Sequence, residues 1–114
     1  MSKPESEFFD TAGIPWEGVH EVAGLYRKVL SRDDETGSWT GMTRFDPGTD
    51  TTAMGVQRHD YWEEVIILEG SLHDLTLDRT FGKGMYACRP PGMSHGPWIS
   101  REGCLTFEVC TRAG

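Results

Sequence analysis

After residue 23 the chain consists of short apolar stretches separated by polar turns. Residues 25–30 and 39–45 flank a polar loop, and this arrangement is typical of a β-hairpin. Asp46-Pro47-Gly48 predicts the next turn, because proline presets one backbone angle and glycine accepts unusual ones. The further strand-like runs are 51–57, 63–69, 71–77, 85–89, 94–99 and 104–110. No helical period persists for more than about 10 residues, so the pattern predicts an all-β sandwich or small barrel.

Residues 1–23 do not share this pattern. They mix acidic and aromatic residues without a clean period, and Pro15-Trp16 is typical of an extended segment. Phe8, Phe9, Ile14 and Trp16 could pack across the rest of the domain. We therefore expect an N-terminal arm at 1–23 and a β-barrel at 24–114.

The composition fits one turn-rich domain. A chain of 114 residues suits a single core, and 14 Gly with 6 Pro indicate many turns. The net charge of −7 argues against a nucleic-acid-binding surface or an anchor to an anionic membrane, because both need a basic patch. No run approaches the ~20 apolar residues of a membrane span.

The N-terminus and the cysteines both predict a cytoplasmic protein. Residues 1–7 are polar and acidic, unlike the apolar run of a signal peptide. Cys88, Cys104 and Cys110 are odd in number and lack the spacing of a zinc or disulfide framework. We expect them to be reduced thiols that pack in the core.

The first candidate site lies in residues 57–70. His59 precedes Glu63 by four residues, and an apolar strand then runs to Gly70. Because side chains alternate along a strand, only one of Glu63 and Glu64 can point inward, and both are candidates. Without a metal, His59 would be an ordinary loop histidine and the glutamate a solvated strand end.

The second candidate site lies in residues 84–98. A strand leads into the rigid turn Pro90-Pro91-Gly92, which delivers His95 at the start of the next strand. An ordinary surface residue does not need a turn whose backbone is fixed by two prolines. The turn therefore favours a functional role for His95.

The second segment resembles the second motif of the cupin superfamily. That motif is a glycine, five residues, Pro-x-Gly, two residues, a histidine, three residues and an asparagine. The chain matches it from Gly84 to His95 at every spacing and carries Ile99 where asparagine is usual.

The first segment resembles the first cupin motif, in which His-x-His precedes a glutamate and, six residues later, a glycine. His59 corresponds to the second histidine, and the spacing to Gly70 assigns the glutamate to Glu63. Gln57 stands where the family has its first histidine. The resemblance therefore implies a ligand set of His59, Glu63 and His95, with one usual ligand replaced.

The residues around both motifs resemble the ChrR-like branch of cupins, over roughly residues 16–109. This branch includes the cupin domain of the ChrR anti-sigma factor and is similar to diketone-cleaving and hydroxyacetophenone-cleaving dioxygenases. The resemblance implies a double-stranded β-helix, or jelly-roll barrel.

These residues predict a site for one divalent metal ion. Two imidazoles and a carboxylate suit Fe(II), Mn(II), Ni(II) or Zn(II) and leave positions open for water or substrate. The similarity to dioxygenases favours Fe(II). Gln57 could add a weak carbonyl ligand or only a hydrogen bond to a ligand. A vestigial, empty site is the alternative.

Aromatic residues near the two motifs could form a substrate pocket. They are Tyr61, Trp62, Tyr86 and Trp98. Their alternative role is in the core or a dimer contact. Arg44 could bind a substrate carboxylate or lie on the surface. On the last strand, one of two alternating sets of side chains must face the interior. The sequence does not decide between Leu105, Phe107 and Val109 and the set Cys104, Thr106, Glu108 and Cys110.

Three functions remain open at this point. The first is a metal-dependent enzyme that acts on a small carbonyl or phenolic compound, by dioxygenase-type C–C cleavage or by non-redox isomerase, hydratase or lyase chemistry. The second is a ligand-binding or metal-sensing module, and the third is a metal-free barrel that dimerises. We expect a small-molecule substrate and a homodimer, without nucleic acid or membrane as a partner.

Overall fold

The computed structural model describes residues 3–113, and this part of the chain forms nine β-strands and two short 3₁₀ turns. The strands are β1 (Glu17–Gly18), β2 (Leu25–Arg32), β3 (Trp39–Phe45), β4 (Thr49–Asp50), β5 (Trp62–Asp74), β6 (Arg79–Gly82), β7 (Tyr86–Arg89), β8 (Trp98–Ser100) and β9 (Cys104–Thr111). The 3₁₀ turns are Thr11–Gly13 and Thr52–Met54. The predicted all-β class is confirmed.

The strands form one curled sheet with the order β1-β2-β3-β9-β5-β8-β4. Strand β5 connects its two halves. The first half of β5 pairs with β9 and β7, and the second half pairs with β6 and β8. Because every one of these pairings is antiparallel, the sheet wraps around an interior lined by alternate residues.

The predicted strand boundaries are partly wrong. The hairpin of β2 and β3 is confirmed, but the runs 63–69 and 71–77 belong largely to the single strand β5. The run 51–57 contains the second 3₁₀ turn instead of a strand. Residues 79–82, which the pattern did not single out, form β6 because β5 offers them a free edge.

Gly70 allows β5 to pass close to the loop before β9. Its φ of 76° lies in the left-handed region, and a Cβ atom there would lie 1.9 Å from the carbonyl oxygen of Gly103. The pairing of β5 with β9 also shifts register between Ile67 and Glu69. Only glycine fits this close approach, which explains the glycine at the end of the first motif.

Strand β9 shows which of its faces is inside. Cys104, Thr106, Glu108 and Cys110 are buried, and the intervening residues lie on the opposite face of the sheet. All three cysteines are free, with Cys88 exposed.

The interior is divided into an apolar end and a polar end. The apolar core consists of Val19, Leu25, Phe45, Ile67, Leu72 and Cys104. Thr43, Glu63 and Glu108 are also buried, although they are polar. Buried charges require partners, so this polar end is the candidate functional region of the interior.

The segment before β2 packs against the sheet, and its Val19 enters the apolar core. Strand β1 pairs with β2, and the Lys28 ammonium donates to the carbonyl of Thr11 at 2.8 Å and lies 4.5 Å from the Trp16 ring centroid. Phe8 and Phe9, which we expected to pack, are exposed. Within residues 3–113, no helix has the length and apolar character needed to cross a membrane.

Candidate metal centre

Backbone hydrogen bonds bring the two motif segments together. The Gln57 amide donates to the His95 carbonyl at 2.8 Å, and the His95 amide donates to the Gln57 carbonyl at 3.0 Å. The Gly92 amide donates to the His59 carbonyl at 2.8 Å. Residues that are far apart in sequence are thus fixed side by side, next to the start of β5.

His59, Glu63 and His95 meet at one point. Each offers a ligand atom, and these atoms all lie within 4.8 Å of one another. The two imidazole centroids are 4.7 Å apart, and His95 Nε2 lies 3.9 Å from Glu63 Oε1. Among the described residues, the structure therefore places together the three side chains that the sequence singled out as ligands.

The state of the histidines fits a metal ligand set. Burial lowers the pKa of His95, and the positive charge of Arg89 lowers it further, against the opposing effect of Glu63. Burial also lowers the pKa of His59. Both shifts favour the neutral imidazole, which is the form that binds a metal. In addition, His95 Nδ1 is buried and has no hydrogen-bond partner in residues 3–113, so the protein alone does not satisfy this nitrogen.

Arg89 holds the carboxylate of Glu63. The two residues face each other across β7 and β5, and Arg89 Nη1 donates to Glu63 Oε1 at 2.8 Å. The guanidinium also lies 5.3 Å from the Trp98 ring centroid. Sequence reasoning did not single out Arg89 as a site residue, since the pairing that opposes it to Glu63 is non-local.

Gln57 lies at the edge of the same site. It lines the cavity, but its side-chain nitrogen donates to the Met54 carbonyl at 2.8 Å. Whether its oxygen binds a metal stays a prediction.

The three residues open into a cavity of about 510 Å³. Its walls are largely apolar side chains from both halves of the sheet. They include Leu25, Phe45, Ile67, Leu72, Phe81 and Trp98. A cavity of this size and character is typical of a small-molecule site.

Of the four aromatic residues expected to form the pocket, two border the cavity and two do not. Trp98 and Tyr86 border the cavity, although the Tyr86 hydroxyl is directed to Glu64, to which it donates at 2.5 Å. Tyr61 is not among the lining residues and instead stacks on His59, with ring centroids 4.8 Å apart. Trp62 points away and is 50% exposed.

Arg44 lies outside the cavity. It pairs with Asp46 at 3.2 Å, and its guanidinium lies 4.4 Å from the Tyr26 ring centroid and 5.1 Å from that of Trp16. In this position it contacts the N-terminal segment, so the expected contact with a substrate carboxylate has no support from its position.

A family model described as the ChrR cupin-like domain matches residues 4–112. The chain belongs to this family. The sequence prediction of a ChrR-like cupin is thereby confirmed, and the match includes most of the N-terminal segment as well as the barrel. No curated protein matches the sequence significantly.

Solved structures share the cupin fold at low sequence identity. An RmlC-like cupin from Shewanella frigidimarina NCIMB 400 has a TM-score of 0.76 and 20% identity, with 99% of this chain and 96% of that chain covered. An acetylacetone dioxygenase from Acinetobacter johnsonii has a TM-score of 0.75 and 16% identity, with 94% and 74% covered. The polyketide cyclase RemF from Streptomyces resistomycificus has a TM-score of 0.74 and 20% identity, with 96% and 83% covered. These similarities confirm the predicted double-stranded β-helix.

The cupin interior contains two further charged residues that the sequence did not reveal. Arg27 and Glu108 both line the cavity, and the Thr43 hydroxyl donates to the Glu108 carboxylate. Burial raises the pKa of Glu108 to about 7. The alternation of side chains along β2 and β9 is the only sequence signal for these two positions. It would have predicted that Arg27 and Glu108 face the cavity only if the inward face of each strand had been known.

Proposed function

We propose that this cupin is a metal-dependent enzyme that acts on a small carbonyl or phenolic compound, by dioxygenase-type C–C cleavage with Fe(II) as its metal. The observation that carries the proposal is the convergence of His59, Glu63 and His95 at the wall of a largely apolar cavity. Two histidines and one carboxylate with open positions are the ligand set of many non-haem Fe(II) oxygenases.

His59, Glu63 and His95 would hold the metal through their imidazole nitrogens and carboxylate. A bound Fe(II) would supply the redox chemistry for dioxygen and polarise a substrate oxygen. Arg89 fixes the carboxylate, because a charge-assisted hydrogen bond restricts its orientation. Tyr61 stacks on the His59 ring and so restricts the orientation of that imidazole.

The cavity sets the class of substrate. Its volume of about 510 Å³ admits a small organic molecule, and its apolar walls exclude water from most of that molecule's surface. The cavity would fit a substrate whose carbonyl or phenolic oxygen is directed at the ligand residues. The hydrocarbon part of the same molecule would lie against the apolar walls.

The similarity to an acetylacetone dioxygenase is consistent with this proposal, but a common fold does not establish a common reaction. The polyketide cyclase with the same fold illustrates the second candidate, which is non-redox chemistry in the same cavity. In that case Zn(II) or Ni(II) would act as a Lewis acid.

Elemental analysis tests the proposal directly. Protein purified without added metal is expected to contain one equivalent of iron, which is lost in His59→Ala and in His95→Ala. His73→Ala is the matched control, because His73 lies outside the cavity and bonds to Thr80 and Asp78. Iron should accompany oxygen uptake with β-diketones or hydroxyaryl ketones. Stoichiometric zinc or nickel without oxygen uptake would establish the non-redox candidate, and ligand binding without any metal would indicate a binding module.

A further inference from the structure

A row of polar side chains crosses the concave face of the sheet. Arg27 on β2 pairs with Thr43 on β3, and Thr43 contacts Glu108 on β9. On β5, which pairs with β9, Glu63 lies on the same face and opposes Arg89 on β7. Four of these five residues carry ionisable groups inside a cavity, so each charge must be balanced by a partner.

Most of the charges in the cavity have partners in the protein. Arg89 pairs with Glu63 at 2.8 Å. Asp74 accepts from the Thr76 and Leu77 amides at 2.9 and 3.0 Å.

Arg27 is the exception. Its guanidinium makes no ion pair and no hydrogen bond within residues 3–113, and its Nε is buried without a partner. Glu108 lies in the same row but does not form an ion pair with it, and its carboxylate accepts from the Thr43 hydroxyl instead. The residue is half-buried, and its unused N–H donors are available to a ligand that enters the cavity.

The guanidinium is held against an aromatic ring and lines the same cavity as the ligand residues. It lies 4.9 Å from the Trp39 ring centroid, and this cation–π contact supports the planar group from one side. Its positive charge is among the influences that lower the pKa of His59, after burial. Arg27 and His59 both line the cavity.

We propose that Arg27 is the carboxylate-binding residue of this cavity, so that the substrate is a small oxo acid with one oxygen at the His59–Glu63–His95 site and its carboxylate on Arg27. The guanidinium offers paired N–H donors that match a carboxylate in a bidentate arrangement. The placement of the oxo group at the ligand residues rests on the proposed function. The binding of the carboxylate by Arg27 does not depend on it.

Calorimetric titration with two probes of equal size tests the inference. 5-Oxohexanoate and heptane-2,6-dione have the same number of non-hydrogen atoms and differ in the replacement of a carboxylate oxygen by a methyl group. We expect wild-type protein to bind the oxo acid about tenfold more tightly or better. Arg27→Gln should bring the ratio close to one, and Arg27→Lys should keep part of the preference because it keeps the charge.

Arg44→Gln is the matched control. It removes an arginine that also lies over aromatic rings but is outside the cavity, so the preference should not change. Equal affinities of wild-type protein for the two probes would overturn the inference, as would an undiminished preference in folded Arg27→Gln.

Labelling of wild-type protein with phenylglyoxal provides a measurement that does not depend on the folding of any variant. 5-Oxohexanoate should protect Arg27 from modification, as mapped by peptide mass spectrometry, and heptane-2,6-dione should not. Protection that is absent at Arg27, or is equal for both probes, would count against the inference.

The same titration after removal of metal with a chelator separates this inference from the proposed function. Arg27 is not a metal ligand, so the preference for the oxo acid should persist in the chelator-treated protein. If the preference persists but no metal or turnover is found, only the proposed function fails. If iron and oxygen uptake are found but the two probes bind equally, only the role of Arg27 fails.

Discussion

Arg89 and Glu63 form an ion pair at 2.8 Å between opposed positions of β7 and β5, with side chains only 14% and 10% exposed. Arg89→Met should leave the Glu63 carboxylate buried without its partner and lower the free energy of unfolding of the metal-free protein by about 3 kcal/mol. Urea denaturation measures this change. Arg58→Met, at an exposed arginine, is the control and should cost about 0.5 kcal/mol or less.

A second variant checks the cause. Combining Arg89→Met with Glu63→Gln removes the unpaired charge, and it should recover part of the lost stability. No recovery in the double variant would mean that Arg89 stabilises the fold by packing on Trp98 rather than by its charge.

Gly70→Ala should strongly destabilise the barrel. The new Cβ would lie 1.9 Å from the Gly103 carbonyl oxygen at a φ of 76°, and overpacking combined with backbone strain costs about 3 kcal/mol or more. Gly84→Ala is the matched control, since Gly84 has a similar φ of 85° but open space around its Cα. It should cost only about 1 kcal/mol. Equal losses in thermal or urea unfolding would contradict the steric explanation.

Glu108 should make the protein less stable as the pH rises. Burial raises its pKa from the usual 4.5 to about 7 in the folded chain. Between these values the unfolded chain has released a proton that the folded chain still holds, so each increase in pH favours the unfolded state. The loss accumulates to about 3 kcal/mol at most and then levels off above the folded pKa.

Glu108→Gln removes this dependence, because glutamine does not titrate. The stability of the variant relative to wild type should therefore rise between pH 4.5 and about 7. Urea denaturation of both proteins across this window measures the difference. A constant difference would show that Glu108 does not titrate with a raised pKa.

Metal binding should stabilise the folded chain. At a free concentration of about 100 times its dissociation constant, a divalent ion contributes about 2.7 kcal/mol to stability. Addition of Zn(II) as a redox-inert probe should raise the melting temperature of wild type and His73→Ala but not of His95→Ala. An equal rise in His95→Ala would place the ion elsewhere on the protein.

Some features of the site were accessible from sequence because they depend on local spacing. His59, Glu63 and His95 were singled out by their spacing in the segments that resemble the cupin motifs, and the distance to Gly70 selected Glu63 over Glu64. Trp62 could also have been excluded from the pocket, since it directly precedes Glu63 and strand alternation places the two on opposite faces.

The amino-acid sequence by itself determined the all-β class, the cupin motifs and the order of the candidate ligands, because turn chemistry and side-chain alternation act over a few residues. Only the tertiary structure decided that Arg89 opposes Glu63, that Arg27 and Glu108 face the cavity, and that Arg44 lies outside it. Those positions depend on strand pairing between distant segments, where a shift of one residue moves every side chain to the other face of the sheet.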